Sequence, residues 1–390
     1  MGNDGVIRDA RELGTPKMLT LGLQHMFAMF GATVLVPTLT GLSVSATLLF
    51  AGLATLFCHF VTKRKVPVFL GSSFAFLGGY FAIAPDGNPE LLRYACFGVA
   101  CSGLLYLILA AFCKVYGSKK VMRFFPPVVT GPIIISIGLT LSSSAIQNCT
   151  TNWFIALVAI VVVIVCNIWG KGMVKIIPIL IGVVASYVVA AVTGNVDFTG
   201  VKDAAWIGMP FSYHNTVFSI FTEGNADKGM LLTAAITIMP IAIATMMEHI
   251  GDISAIGSTV GQNFIKDPGL HRTLIGDGIG TTIASLFGAP ANTTYGENTG
   301  VLALTKVYDP RVIRLAAVYA IIISFCPKFS ELIKAMPAAT IGGVSMILYG
   351  MISAIGVRNV VENQVDFAKT RNVIVAALIL VLSIGIKYGM

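Results

Sequence analysis

Three carboxyl groups lie within or beside apolar stretches of this sequence, and their positions point to proton chemistry inside a membrane. Glu248 and Asp252 follow the uncharged residues 230–247, and Glu297 follows a polar break at residues 292–296. A charged side chain at bilayer depth costs at least about 2.5 kcal/mol, so such residues usually face a cavity and have a function. Because burial favours the neutral acid, a carboxyl there can take up and release a proton near neutral pH.

The spacing of the first two acids predicts that they act together. Glu248 and Asp252 are four residues apart and share one face of a helix if that helix continues beyond residue 247. Ser254 and the residues up to 260 can extend it. The alternative is that the span ends near Met247 and both acids lie in a cytoplasmic loop.

A pair of facing glutamates, Glu248 and Glu297, would also suit a particular kind of ligand. Carboxylates accept hydrogen bonds from N–H groups, exposed backbone amides donate to carbonyl groups, and an aromatic ring such as Phe74 or Tyr295 stacks on a flat solute. A pyrimidine base has this pattern of groups, although composition alone does not single it out.

Other polar residues are weaker candidates, because each has a structural explanation. His25 lies in an otherwise uncharged stretch and is either a proton relay or a histidine bonded to a neighbouring group. Asp277 either lines a cavity or forms a hydrogen bond across helices. Tyr349, judged by position alone, fits a packed core better than a substrate contact. Three further histidines are expected to be inert: His59, His214 and His271.

The composition identifies the elements that must position these residues. Of 390 residues, 56% are hydrophobic and 11% charged, and the mean hydropathy is +0.84, whereas soluble domains are about 25% charged. Uncharged runs such as residues 18–62 and 124–170 approach or exceed the roughly 20 residues that cross a bilayer. They lack the alternation of barrel strands. The sequence therefore predicts an all-α polytopic membrane protein.

Cysteine spacing and charge distribution exclude several other classes. The seven cysteines show no CxxC pair, which argues against a disulfide framework and a zinc site, and no metal or cofactor is expected. The net charge of +8 comes from short basic clusters between apolar spans, so no nucleic-acid partner is expected.

Thirteen spans can be placed along the chain, and their flanking charges predict an orientation. Twenty of the 26 lysines and arginines fall on one side if the N-terminus is cytoplasmic, and six on the other, as the positive-inside rule requires. The predicted spans cover residues 18–39, 44–61, 66–83, 94–112, 125–141, 152–169, 176–192, 230–256, 273–287, 293–305, 312–326, 336–356 and 372–386.

Seven spans precede the central polar loop, so the second half begins on the opposite side, as in an inverted repeat. Residues 125–131 and 336–342 open corresponding spans, with an offset of 210 between Pro127 and Pro337. Polar breaks at residues 71–76 and 292–297 also correspond, and paired breaks indicate a transporter binding site. The repeat predicts a fourteenth span near residues 391–407, beyond this sequence. Either the sequence is truncated, which we favour, or the last helix is dispensable.

Five segments carry a family resemblance over nearly the whole chain: residues 24–37, 71–76, 248–251, 267–272 and 292–298. By these motifs the chain resembles the uracil permeases of the nucleobase:cation symporter (nucleobase-ascorbate transporter) family. The resemblance implies two inverted repeats of seven spans, of which 13 of 14 are present, with short antiparallel strands in spans 3 and 10. It also implies a core domain (residues 1–120 and 230–327), a gate domain (121–195 and 328–390) and an external loop (196–229).

The resemblance also assigns roles to individual residues. Glutamates matching Glu248 and Glu297 bind the base, backbone amides matching Phe74 and Gly296 contact its carbonyl groups, and Tyr295 and Tyr349 match residues near the site. The predicted substrate-binding residues are Glu248, Glu297, Phe74, Gly296, Ser73, Tyr295 and Tyr349. The predicted proton-coupling residues are Glu297, Asp252 and His25.

The expected function is uracil:proton symport into the cell across the cell (inner) membrane by alternating access, and not catalysis of a reaction. The expected partners are uracil, protons and the lipid bilayer, with a homodimer left open. Asp252 and Asp277 resemble the purine branch of the family, so a purine or other anion carrier of the same fold stays an alternative. A channel is the alternative from a different class.

Overall fold

A computed structural model describes residues 6–223 and 226–389, and each of the thirteen predicted spans corresponds to helix or to strand followed by helix. Ten spans form one helix each: Thr15–Thr40, Val44–Val61, Pro89–Tyr116, Pro127–Thr150, Trp153–Trp169, Pro178–Val192, Leu270–Leu286, Pro310–Ser324, Ala338–Glu362 and Thr370–Gly389. The expected fourteenth span lies outside the described residues.

Of the three remaining spans, two begin with a strand and the third contains a local gap in its helical hydrogen bonding. Span 3 consists of strand β1 (Leu70–Ser72) followed by helix Leu77–Ile83, and span 10 of strand β2 (Asn292–Thr294) followed by helix Gly296–Thr305. Span 8, predicted as one helix, is one apolar span, Lys228–Val260, whose helical hydrogen bonding is divided at Met239 and Pro240 between Lys228–Ile238 and Ile241–Val260. A proline lacks the N–H that would continue the helical bonding, which explains the division.

Within residues 6–223 and 226–389, seven helices are long and apolar enough to cross a membrane. Helix Pro310–Ser324 together with Pro327–Lys334, which is bent from it by 88°, would make an eighth. The others are shorter; the 15 residues of Pro178–Val192, for example, extend only about 22 Å. The protein is an integral multi-pass membrane protein whose shorter elements are embedded among longer helices.

The connections contain several short helical segments. They are Ala10–Leu13, Pro85–Gly87, Ser118–Val121, Met122–Phe124, Met173–Ile176, Thr199–Asp203, Tyr213–Asn215, Val217–Thr222, Ile265–Gly269 and Pro327–Lys334. Three of these, Thr199–Asp203, Tyr213–Asn215 and Val217–Thr222, lie in the connection between spans 7 and 8.

The packing of the helices obeys the repeat. Span 2 packs on span 11, and span 9 packs on span 4. Each pair becomes the other when every span is exchanged for its repeat mate, which lies seven spans away in the chain. The same relation joins the contact of spans 1 and 11 to that of spans 8 and 4, and the contact of spans 6 and 12 to that of spans 13 and 5. Spans 3 and 10, 2 and 9, and 5 and 12 each contact their own repeat mate. The fold is therefore an inverted repeat, as predicted.

Spans 5 and 12 form the most extensive helix contact and depend on small residues. A Cβ atom at Gly138 would lie 2.3 Å from the carbonyl oxygen of Tyr349, so only glycine permits this approach. Close backbone approach through small residues is the usual basis of helix association in membranes, where lipid removes the hydrophobic driving force.

Candidate binding site at the crossing of two interrupted spans

Strands β1 and β2 cross as an antiparallel pair in the middle of the molecule. The register places Leu70 opposite Thr294, Gly71 opposite Thr293 and Ser72 opposite Asn292. Two backbone hydrogen bonds flank the pair, from Ser73 N to Ala291 O (2.8 Å) and from Tyr295 N to Phe69 O (3.1 Å). The predicted strands in spans 3 and 10 are confirmed.

The backbone N–H and C=O groups at the start of each strand form hydrogen bonds with a threonine of the preceding span. The Thr55 hydroxyl of span 2 accepts from Leu70 N (2.9 Å) and donates to Leu70 O (3.3 Å). In the other repeat, the Thr281 hydroxyl of span 9 makes both bonds to the backbone of Asn292, each at 3.2 Å. Non-helical backbone at membrane depth needs such partners, so these threonines make the breaks tolerable.

The three acids predicted from the sequence converge on this crossing. Helix Ile241–Val260 continues through Glu248 and Asp252, so both acids lie within span 8 and not in a loop. Glu297 occupies the first turn of helix Gly296–Thr305. The carboxyl of Glu248 interacts electrostatically with those of Asp252, Asp277 and Glu297.

The two glutamates differ from Asp252 in their partners. The hydroxyl of Thr294 on β2 donates to Oδ2 of Asp252 over 2.5 Å. In the part of the chain that the structure describes, no side chain donates a hydrogen bond to the carboxyl of Glu248 or Glu297, and both residues are half-buried. Among these described residues, the Glu297 carboxyl accepts only from its own backbone N–H, so both glutamates keep oxygens that can accept from N–H groups of a ligand.

The backbone beside Glu297 is accessible. Gly296 is exposed, and a Cβ atom added there would meet no atom within 4 Å. Because helix Gly296–Thr305 begins at this glycine, its first amide groups have no acceptor within the helix. The position combines amide donors with a neighbouring carboxyl, which is the combination the sequence predicts for binding a base.

The remaining predicted substrate residues surround the crossing at different depths. Ser73 is fully buried and Phe74 half-buried, directly after β1. Tyr349 of span 12 is 1% exposed and belongs to the same apolar cluster as Tyr295, against which Phe74 packs. The structure brings these residues to one region, although the Tyr295 hydroxyl is already bonded, donating to Ser72 O over 2.8 Å.

His25 connects span 1 to the residue after Glu297. The amide nitrogen of Asn298 donates to His25 O (3.0 Å), which fixes the orientation of that amide, and it lies 3.2 Å from His25 Nδ1. An NH₂ group only donates, so Nδ1 accepts and the neutral ring carries its proton on Nε2. Among the described residues, this buried Nε2 has no hydrogen-bond partner.

The partner of Asp277 near the site was not predicted. His249 Nδ1 lies 2.9 Å from Asp277 Oδ2, and both side chains are fully buried. This contact joins span 8 to span 9 at ion-pair distance, although its geometry is not that of a hydrogen bond. The only signal in the sequence was a histidine beside Glu248 in an apolar run, which does not identify a partner 28 residues away.

Two of the histidines expected to be inert, His59 and His214, contact other groups of the protein. His59 is buried, and its Nε2 lies 2.8 Å from Val68 O. His214 is exposed, 2.9 Å from Glu223. As to metals, no group of three or more His, Cys, Asp and Glu residues suited to an ion occurs in residues 6–223 and 226–389.

Comparison with known proteins gives relatives over almost the full chain. A family model described as "Permease family" matches residues 16–390. The uracil permease of Bacillus caldolyticus is 41% identical, over 97% of this chain and 87% of the relative. The uracil permease of Bacillus subtilis (strain 168) is 39% identical, over 96% and 87%. The uracil permease of Escherichia coli (strain K12) is 36% identical, over 94% and 84%.

Solved structures share the fold at low identity. The transmembrane domain of a cyanobacterium bicarbonate transporter, BicA, aligns with a TM-score of 0.70 and 15% identity, over 98% of both chains. SLC26A9 aligns with a TM-score of 0.63 and 13% identity, over 94% of this chain and 61% of the other.

Proposed function

Since the chain belongs to the Permease family, we propose that it is a secondary active transporter that carries uracil into the cell together with a proton. The observation that carries the proposal is the convergence of Glu248 and Glu297 on the crossing of β1 and β2. Neither carboxyl receives a hydrogen bond from a described side chain, and the backbone at Gly296 is open. Uracil offers N–H donors to the carboxyls and carbonyl acceptors to the amides.

The charge around the site favours a neutral solute over an anion. The charged groups that act on Glu248 are the carboxyls of Asp252, Asp277 and Glu297. Whenever one of these carboxyls is ionised, an anionic solute would be repelled in this medium of low dielectric, where like charges interact strongly. We therefore propose a neutral base as the substrate, although SLC26A9 and the bicarbonate transporter share the fold.

We propose alternating access, with spans 1–4 and 8–11 as the core domain and spans 5–7 with 12–13 as the gate. The packing of spans 5, 6, 7, 12 and 13 on one another supports this division. On helix Ile241–Val260, Thr245 and Met246 are buried while Ser254 and Ser258 are exposed. Ser254 and Ser258 also line a recess of about 390 Å³ at the C-terminal end of this helix.

We assign the coupled proton to Glu297, with Asp252 as the rival and His25 as a neighbouring group. At the start of helix Gly296–Thr305 the helix dipole favours the ionised carboxylate, whereas desolvation favours the neutral acid. These effects oppose each other. A carboxyl balanced in this way changes protonation when the cavity exchanges one aqueous side for the other, and bound uracil biases it by bonding to one form.

Competition binding tests the proposed substrate. Purified protein in nanodiscs should bind radiolabelled uracil, and excess unlabelled uracil should displace it, while xanthine and sulfate should not. Displacement by xanthine at equal concentration would favour the purine alternative that Asp252 and Asp277 suggest. Single-channel currents in a planar bilayer would contradict a carrier.

A further inference from the structure

Tyr295 lies between strand β2 and helix Gly296–Thr305, whose relative position determines the geometry of the candidate site. It follows β2 directly, precedes Gly296 and Glu297, and is 5% exposed. Its hydroxyl reaches across to the other interrupted span, where it donates to Ser72 O over 2.8 Å and lies 3.3 Å from Ser72 Oγ. The side chain thus joins span 10 to span 3.

The same contact continues to span 1. Ser72 Oγ donates to the carbonyl oxygen of Thr33 over 2.8 Å, within helix Thr15–Thr40. The Thr33 hydroxyl in turn donates to Met29 O over 2.8 Å, so it is satisfied inside its own helix. A chain of hydrogen bonds therefore connects Tyr295, Ser72 and Thr33, one residue from each of three spans.

The ring of Tyr295 occupies the space that a side chain at position 71 would need. A Cβ atom added to Gly71 would lie 2.5 Å from Cζ and 2.6 Å from Cε2 of the tyrosine, and 2.8 Å from Thr33 Oγ1. Real Cβ atoms do not approach so closely, so glycine at position 71 is a requirement of the tyrosine's position.

From this geometry we propose that Tyr295 is a positioning residue that fastens spans 1, 3 and 10 together and thereby fixes Gly296 and Glu297. Its hydroxyl and ring are committed to Ser72 and Gly71, so it acts on the substrate through its two neighbours along the chain. The inference rests on the proposed function only where uracil binding is measured. The effect of Tyr295 on the contact between spans 1, 3 and 10 is measured without any substrate.

Two variants of the full chain in nanodiscs test the proposal, each with a matched control. Tyr295→Phe removes the hydroxyl and keeps the ring, and Tyr187→Phe is its control, because the Tyr187 hydroxyl also donates to a backbone carbonyl over 2.8 Å, that of Leu332, away from the crossing. Gly71→Ala displaces the ring. Gly78→Ala is its control in the same span, since a Cβ atom there meets nothing within 4 Å.

The readouts are amide hydrogen exchange of residues 292–297 without ligand and the Kd for uracil. Tyr295→Phe should accelerate that exchange and raise the Kd about five-fold, as expected for one lost hydrogen bond. Gly71→Ala should raise the exchange rate and the Kd by more than Tyr295→Phe does. The controls Tyr187→Phe and Gly78→Ala should leave the exchange rate and the Kd unchanged. Unchanged exchange in both test variants would overturn the proposal, whether or not uracil binding changes. Accelerated exchange in a protein whose wild type binds no uracil would support the fastening and contradict the proposed substrate.

Discussion

The hydroxyl of Thr294 donates to the carboxyl of Asp252 over 2.5 Å, which ties span 8 to the strand of span 10. Glu248, one helical turn earlier on the same face, has no such donor among the described side chains. Two acids of one helix therefore have different surroundings. Asp252 is bonded within the protein, and Glu248 is available to a ligand.

Replacing Glu248 by Gln should abolish uracil binding as well as transport. An amide presents one acceptor oxygen, and its NH₂ group would oppose an N–H group of the base, a mismatch worth about 1 to 3 kcal/mol when buried. Equilibrium binding in nanodiscs measures the effect. Wild-type affinity in this variant would remove Glu248 from the site.

Replacing Glu297 by Gln should separate binding from coupling. The amide mimics a permanently protonated acid, so some uracil binding should remain while proton-driven accumulation is lost. Asp252→Asn is the comparison, since the new side chain can still bond to the Thr294 hydroxyl and should leave the dependence on the gradient largely intact. Uptake under an imposed pH gradient measures both variants, and the opposite pattern would assign the proton to span 8.

Replacing Asp277 by Leu should destabilise the protein by about 3 kcal/mol, because it leaves His249 without its partner in a fully buried position. Asp277→Asn keeps a polar group beside the imidazole and should cost less. Unfolding of the purified protein in detergent, followed by its thermal midpoint, compares the two. Equal midpoints for the Leu and Asn variants would show that the pair does not stabilise the contact of spans 8 and 9.

The connection between spans 7 and 8 should contribute a pH-dependent part of the stability. A hydrogen bond from Arg93, and then one from His214, hold the pKa of the Glu223 carboxyl below its ordinary value of about 4.5. Because the pKa is lowered in the folded state, the stabilisation is present above that value and is lost as the pH falls through the folded pKa. Glu223→Gln should therefore reduce the drop in thermal midpoint between pH 6 and pH 4.

Glu331 provides the control for that measurement. It pairs with Lys334 over 2.6 Å at the surface, with no buried arginine involved. Glu331→Gln should leave the pH dependence close to that of the wild type. A drop of the same size in the Glu223 variant and the wild type would mean that the ion pair of Arg93 and Glu223 does not stabilise the connection between spans 7 and 8.

Hydropathy was sufficient to place the spans, because continuous apolar runs and flanking charges are local features of the chain. The two breaks could be predicted as well, since small and hydroxylated residues interrupted corresponding apolar stretches in the two halves. Span 8 was predicted as one span and is one, Lys228–Val260, with a local gap in its hydrogen bonding at Pro240.

The contacts between side chains of the candidate site could not be predicted from the sequence. Tyr295 meets Ser72, 223 positions earlier, and His249 meets Asp277 on the next span. Neither pair follows a helical or strand period, so no local pattern predicts it. The sequence identified Tyr295 as a residue of the site, but only the packing of three spans shows where its hydroxyl goes.

Uptake of radiolabelled uracil by proteoliposomes, with and without an inward proton gradient, tests the central claim most directly. The account predicts accumulation above the external concentration when the gradient is present, and its collapse when a protonophore is added. Vesicles without protein and vesicles with Glu248→Gln should take up no more than background. Uptake that only equilibrates, at the same rate and to the same level with or without the gradient, would contradict proton-coupled transport of uracil by this protein.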